Sequence, residues 1–72
     1  MKGNFFYKSI GERIFFERKR KHISQEKLSF LSDIDRTYLS RIEKGKANPS
    51  MKIIRKISRG LKIKVNKIVK DV

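Results

Sequence analysis

The stretch SQEKLSFLSDIDRTYLSRIEKG, residues 24–45, contains two helix starts separated by a short turn. Ser24 and Asp35 are residue types whose side chains accept hydrogen bonds from the free backbone amides at a helix N-terminus. Apolar residues stand at the N′ and N4 positions around each cap, the spacing of a hydrophobic staple: Ile23 with Leu28, and Ile34 with Leu39. The stretch therefore predicts short helices over about residues 25–31 and 36–44.

The turn between these helices is only three residues long, Ser32-Asp33-Ile34. Two short helices joined in this way cross steeply, which is the helix-turn-helix arrangement. Leu39 and Ile42 fall on one face of the second helix and are predicted to be buried. Gly45 is predicted to end that helix in the left-handed conformation.

Apolar residues elsewhere also recur at helical spacing, and Pro49 is the only proline. Ser9 and Glu12 match a capping box, which predicts a first helix over about residues 10–21 and leaves residues 1–8 as an N-terminal extension.

The C-terminal part of the chain predicts two more helices. Pro49-Ser50 opens the fourth, and Asn66 is expected to cap a short fifth helix. The apolar stripe of the fourth helix consists of Ile53, Ile54, Ile57 and Leu61. We expect one compact, all-α, five-helix domain over residues 1–72.

Composition narrows the classes of function. The 72 residues include 20 Lys plus Arg against 7 Asp plus Glu, a net charge of +13, which favours an anionic partner. Cysteine is absent and His22 is the only histidine, so we expect no disulfide, metal site, cofactor or catalytic residue. The longest apolar runs are too short for a membrane span, and a cytoplasmic location without membrane binding is expected.

The third helix carries side chains suited to base edges. A helix that enters the major groove needs polar donors at its first positions and an apolar rear face. The outward candidates are Arg36, Thr37, Tyr38, Ser40 and Arg41. An arginine paired with guanine contributes roughly 1–3 kcal/mol of discrimination. The plain alternative is an ordinary solvated helix face.

The stretch SQEKLSFLSDIDRTYLSRIEKGKANPS, followed by IIRKISRGLKI, resembles the Cro and phage-repressor class of helix-turn-helix regulators, the xenobiotic-response-element type. The resemblance covers about residues 9–69. Within that class, DRTYLSRIE and the small size are most similar to the controller proteins of restriction-modification systems. The resemblance implies a lambda-repressor-like domain, with the second and third helices as the helix-turn-helix, that binds double-stranded operator DNA.

The resemblance also assigns roles to individual positions. It implies that Arg36, Thr37 and Arg41 contact bases, and that Tyr38 and Ser40 touch the DNA backbone or a neighbouring base. It implies that Gln25 binds a phosphate or braces the first base-reading residue, and that Arg18 and Glu43 form a structural ion pair. The phosphate-gripping loop corresponds to Lys44, Lys46 and Asn48.

Three residues depart from the pattern of that class. Asp33 stands where glycine is usual, at small expected cost. Glu17 stands where leucine is common, so we expect the first helix to pack differently, or Phe16 to be covered by the N-terminal segment or the last helix. Gly60 replaces alanine and is expected to weaken the fourth helix by up to about 1 kcal/mol.

A single small domain has a small DNA footprint, so we expect a homodimer on a palindromic operator, with recognition helices roughly 34 Å apart. Helices 4 and 5 supply the candidate interface, namely Ile53, Ile63, Val65, Val69 and Val72. Activation of transcription would add RNA polymerase as a partner. Two alternatives remain: a phage-type repressor or antitoxin regulator, and a non-specific cationic module for RNA or anionic membrane surfaces.

Overall fold

A computed structural model of the chain describes residues 2–71, and this range contains five α-helices and no strand. The helices are α1 (Lys2–Arg20), α2 (Gln25–Ser32), α3 (Arg36–Glu43), α4 (Met51–Leu61) and α5 (Asn66–Val69). The predicted all-α, five-helix architecture is confirmed. No helix within this range is long and apolar enough to cross a membrane.

Side-chain caps fix the starts of the three central helices. An oxygen of each capping side chain accepts a hydrogen bond from the backbone amide three residues on, at 3.0 Å for Ser24, 3.1 Å for Asp35 and 3.2 Å for Ser50. Such a bond satisfies an amide that the helix itself leaves free. Helices α2, α3 and α4 therefore begin where the sequence predicts.

The predicted start of α1 is wrong. The helix begins at Lys2, so Ser9 and Glu12 lie inside it and their capping-box spacing marks no boundary. The helical turns before Ser9 make a tertiary contact, because the backbone of Lys8 packs closely on Gly45. A Cβ at Gly45 would lie 2.8 Å from the Lys8 Cα. Residues 6–8 are thus part of the helical body.

All five helices contribute to one hydrophobic core. Nine apolar residues are almost completely buried: Ile10, Ile14, Leu28, Leu39, Ile42, Ile54, Ile57, Leu61 and Ile68. The predicted inward residues Leu39 and Ile42 are among them. Ile53 lies at the edge of this core and is half-buried.

The turn between α2 and α3 depends on a left-handed residue. Asp33 has φ 57° and ψ 48°, and its amide donates to the carbonyls of Phe30 and Ser29. The amide of Ile34 also donates to the Ser29 carbonyl, at 3.0 Å, and the Ile34 side chain packs against the core. Aspartate tolerates this conformation better than most residues, which explains how it occupies the usual glycine position.

Two glycines allow close approach between helices. A Cβ at Gly60 would overlap the hydroxyl of Ser32, so the glycine brings α4 against α2. A Cβ at Gly11 would overlap the backbone carbonyl of Ile42, so α1 and α3 meet in the same way. The expected loss of helix propensity at Gly60 is therefore accompanied by a packing role that the sequence did not indicate.

The fifth helix is not capped by Asn66 as predicted. Asn66 is its first residue, and the preceding Val65 is already in a helical conformation without a side-chain cap. Instead, Ile68 is fully buried, and the Arg13 guanidinium donates to the carbonyls of Ile68, at 3.3 Å, and Lys70. A contact from α1 thus holds the end of α5.

The region around Glu17 packs without covering Phe16, which remains 62% exposed. Of the two expected alternatives, coverage of Phe16 is excluded by this exposure. Glu17 is buried, and its carboxylate accepts hydrogen bonds from Arg20 at 3.1 and 3.3 Å. Because Arg20 supplies the opposite charge, a carboxylate can occupy a position where leucine is common.

Candidate nucleic-acid interface

Helix α3 is divided into a buried face and an open face. Successive residues are rotated by about 100°, which places Leu39, Ile42 and Glu43 on one side, and all three are buried. The other side spans an arc of about 140°. Its residues are exposed or half-buried, namely Arg36, Thr37, Ser40, Arg41 and Lys44. The fold thus anchors α3 from behind and leaves one polar surface open.

Tyr38 lies outside that open arc. It is half-buried and packs against the hydrophobic core. The structure therefore brings four of the five predicted base-reading residues onto one surface and places Tyr38 on the flank of α3.

The first turns of α2 and α3 enclose a shallow hollow. Four polar side chains line it: Gln25, Arg36, Thr37 and Ser40. These groups offer an amide, a guanidinium and two hydroxyls, all of which hydrogen-bond to base edges or phosphate oxygens. Gln25 and Arg36 thus line the same hollow.

A second hollow lies at the N-terminus of α2. The side chains around it are Arg18, Lys19, His22, Ile23, Ser24, Gln25 and Arg36. Helix N-termini attract anions through free amides and a partial positive charge, and the nearby cations add to that attraction. Lys19 and His22 were not predicted as site residues. The available signal was their position at the end of the helix that precedes the Ser24 cap.

A buried polar network holds α3 in position. Arg18 donates to both carboxylate oxygens of Glu43, at 2.7 and 3.0 Å, and to the Ile23 carbonyl at 2.9 Å. Gln25 donates to Glu43 Oε1 at 3.0 Å. The Arg18 and Glu43 side chains are 8% and 3% exposed. The ion pair expected from the family pattern is present, and it also fixes the Gln25 amide beside the first hollow.

The loop after α3 is joined to the open face by Arg41. Its guanidinium donates to the backbone carbonyl of Lys46 at 3.0 Å, and Gly45 between them has φ 73°. Lys44, Lys46 and the nearby Asn48 are exposed. Arg41 therefore supports the loop from the same surface that carries Arg36 and Thr37.

The cations of this surface are free of acidic partners. Across residues 6–71, whose side chains the structure describes, the ion pairs involve Arg18, Arg20 and Lys56 as the basic members. Arg36, Arg41, Lys44 and Lys46 form none in that range, so their charges remain available to phosphates. Lys8, whose backbone touches Gly45, adds another exposed cation that was not predicted.

Comparison with known proteins gives a consistent set of relatives. A family model described as helix-turn-helix matches residues 16–68. The chain is 41% identical over 64 residues to control protein C.MunI from a Mycoplasma species, across 88% of this chain and 86% of that protein. It is 50% identical over 42 residues to control protein C.BamHI from Bacillus amyloliquefaciens, across 58% of this chain and 52% of that protein.

A solved structure agrees with these sequence relatives. The fold superposes on the restriction-modification controller protein C.AhdI from Aeromonas hydrophila with a TM-score of 0.84 and 35% sequence identity. The match covers 86% of this chain and 94% of that chain.

Proposed function

Because the chain belongs to the helix-turn-helix family, we propose that it is a transcriptional regulator that binds a palindromic DNA operator as a homodimer. Its relatives include two control proteins and a restriction-modification controller protein. We therefore propose the specific role of controller protein in a restriction-modification system.

The division of α3 is the observation that carries this proposal. Arg36 and Thr37 are exposed at the N-terminal end, whereas Leu39 and Ile42 are fully buried behind them. This is the arrangement that lets the start of a helix enter the major groove while its rear stays attached to the domain. Arg36, Thr37, Ser40 and Arg41 are the proposed base-reading residues, with Tyr38 at their edge.

Phosphate contacts would position the recognition helix. We assign them to Lys44, Lys46 and Asn48 in the loop after α3 and to Gln25 at the start of α2. Such contacts set orientation and register without reading sequence. Support comes from the exposure of the three loop residues and from the hydrogen bond that holds Gln25 against Glu43.

We propose that the dimer forms through α4 and α5. The candidate apolar residues of α4, α5 and the segment between them pack against the core but are only half-buried: Ile53, Ile63, Val65 and Val69. Val72, the remaining interface candidate, lies outside the described residues. A two-fold axis through this region would present two recognition helices to half-sites about 34 Å apart.

The proposal includes a cytoplasmic location and no catalysis. Three carboxylates near the site have structural contacts: Glu43 accepts from Arg18 and Gln25, Asp35 caps α3, and Asp33 lies 3.9 Å from the Lys56 ammonium. RNA polymerase would be a further partner if the regulator activates transcription.

Selection of bound sequences from random double-stranded DNA tests the proposal. We expect a symmetric enriched motif whose half-sites are one helical turn apart, located upstream of an endonuclease gene in the source genome. An Arg36→Ala/Thr37→Ala variant, changed only at exposed positions, should enrich a different or weaker motif. Equal binding to random DNA, RNA and anionic vesicles, with no enriched motif, would instead indicate a non-specific cationic module.

A further inference from the structure

The lysine-rich C-terminal segment forms a defined surface that operator binding does not use. Six side chains line one shallow hollow between α1 and α5: Arg13, Lys64, Asn66, Lys67, Lys70 and Asp71. We call this the α1–α5 hollow.

The α1–α5 hollow is held in place by contacts beneath it. Ile68, in the middle of α5, is fully buried in the core. Arg13 donates to the carbonyls of Ile68 and Lys70, which joins the end of α5 to the middle of α1. The lysine backbones are therefore positioned before any ligand arrives, which reduces the entropy cost of binding.

The lining has the chemistry of a phosphate-binding surface. It contains four basic side chains, one amide and a single acid, Asp71. In the described range, Lys64, Lys67 and Lys70 form no ion pair. None of the described residues that line the hollow is apolar, whereas protein interfaces are enriched in aromatic residues and depleted in lysine. Lysine, arginine and asparagine are the side chains that contact nucleic-acid phosphates.

The hollow faces away from the operator-binding surface. On α1, Gly11 abuts the Ile42 carbonyl of α3, whereas Arg13 contacts α5. Two residues along a helix correspond to a rotation of about 200°, so these contacts lie about 160° apart around α1. A duplex bound by α3 would therefore leave the α1–α5 hollow unoccupied.

The proposed dimer would also leave the hollow open. With Ile68 facing the core, Val65 and Val69 fall on one side of α5 and Lys67 on the other, at about 100° per residue. An interface on the valine side would not cover Lys67. Each dimer would then carry two such hollows.

We propose that the α1–α5 hollow binds the phosphate backbone of a second DNA duplex, so that an operator-bound dimer holds a second DNA segment without reading its sequence. This proposal depends on the proposed operator binding in one respect: the first duplex anchors the dimer. Because the bound groups are phosphates, the second contact is strongly salt-dependent.

A bridging assay tests the proposal. Biotinylated operator, taken from the selection experiment, is immobilised and loaded with the full-length protein, and a fluorescent duplex without an operator is then titrated. We expect the loaded protein to capture this duplex. The Lys64→Gln/Lys67→Gln/Lys70→Gln variant should weaken capture by about tenfold or more and lower the magnitude of its log–log salt slope by about 3. Its affinity for the operator should remain within about threefold of the unmodified protein.

A matched control variant distinguishes the loss of lysines in the hollow from a general loss of positive charge. The Lys52→Gln/Arg55→Gln/Arg59→Gln variant removes the same charge from exposed positions of α4 and should retain capture. Equal loss in both variants would overturn the proposal, as would a loaded operator that captures no second duplex. Variant-sensitive binding of polyglutamate without duplex capture would assign the hollow to an acidic protein and also overturn it. If the proposed function itself fails, the immobilised operator retains no protein at the loading step. This result differs from a loaded operator that captures no second duplex.

Discussion

Arg18 and Glu43 join the end of α1 to the end of α3 through two hydrogen bonds, at 2.7 and 3.0 Å, between almost fully buried side chains. Gln25 donates a third bond to the same carboxylate. One acid therefore receives donors from both helices that pack around the recognition helix. The orientation of α3 depends on this contact as well as on the hydrophobic core.

Removal of the Glu43 charge should destabilise the fold. In Glu43→Gln, the buried Arg18 guanidinium loses its counter-charge, and we expect the free energy of unfolding to fall by about 3–5 kcal/mol. Urea denaturation monitored by circular dichroism measures the change. The double variant Arg18→Met/Glu43→Leu removes both charges and should recover most of the loss. A change of less than about 1 kcal/mol in Glu43→Gln would show that the pair is not the main tether of α3.

Arg36 and Lys46 should affect DNA binding in different ways. Arg36→Ala is expected to cost about 1–3 kcal/mol on the selected operator and little on random DNA, because a base contact is lost. Lys46→Ala should weaken binding to both DNAs by the same factor and reduce the salt slope by about 1, because a phosphate contact is lost. Fluorescence anisotropy at several salt concentrations gives these values. The assignment fails if both variants lose the same factor on both DNAs.

The close-packed glycines should respond unequally to alanine. Gly11→Ala places a methyl group on the backbone carbonyl of Ile42, which cannot rotate away, and we expect a loss of about 1–3 kcal/mol in stability. Gly60→Ala meets the Ser32 hydroxyl, which can rotate, and it gains helix propensity of about 1 kcal/mol. Thermal denaturation should therefore rank Gly11→Ala as the less stable variant. The reverse order would contradict this account of the α1–α3 contact.

The proposed dimer interface predicts that a single charged substitution in α5 dissociates the dimer. Val69→Asp adds a charge to a half-buried position of α5 and should shift the protein from dimer to monomer in light-scattering chromatography. Operator affinity should fall with the loss of the second half-site. As a control, Lys62→Glu changes charge at an exposed position nearby and should leave the dimer intact. A Val69→Asp protein that remained dimeric would place the interface elsewhere.

Local sequence signals predicted the helix-turn-helix well. Ser24, Asp35 and the apolar staple residues act within one or two turns of the chain, so their pattern is visible without a structure. The burial of Leu39 and Ile42 followed from the helical period of α3. The same period placed Arg36 and Thr37 on the open face.

Tertiary contacts explain what the sequence did not predict. Ser9 and Glu12 have capping-box spacing, yet contact between Lys8 and Gly45 accompanies a helix that continues through them. From the sequence alone, Gly60 indicates only a loss of helix propensity. Its close approach to Ser32 becomes visible only when α2 and α4 are packed together. The hydrogen bond from Arg41 to the Lys46 carbonyl depends on the turn after α3. The cluster around Lys19 and His22 depends on the turn between α1 and α2.

The separation of α3 into two faces also bears on how operator preference can change. Leu39, Ile42 and Glu43 are the buried residues of α3, whereas Arg36 and Thr37 are exposed, Ser40 is half-buried, and none of these three belongs to the core. New combinations at these three positions outside the core can therefore accumulate, or be grafted from relatives, with little loss of stability. Operator preference can therefore change while the fold stays the same. Neighbouring genetic systems can in this way acquire regulators that do not cross-react.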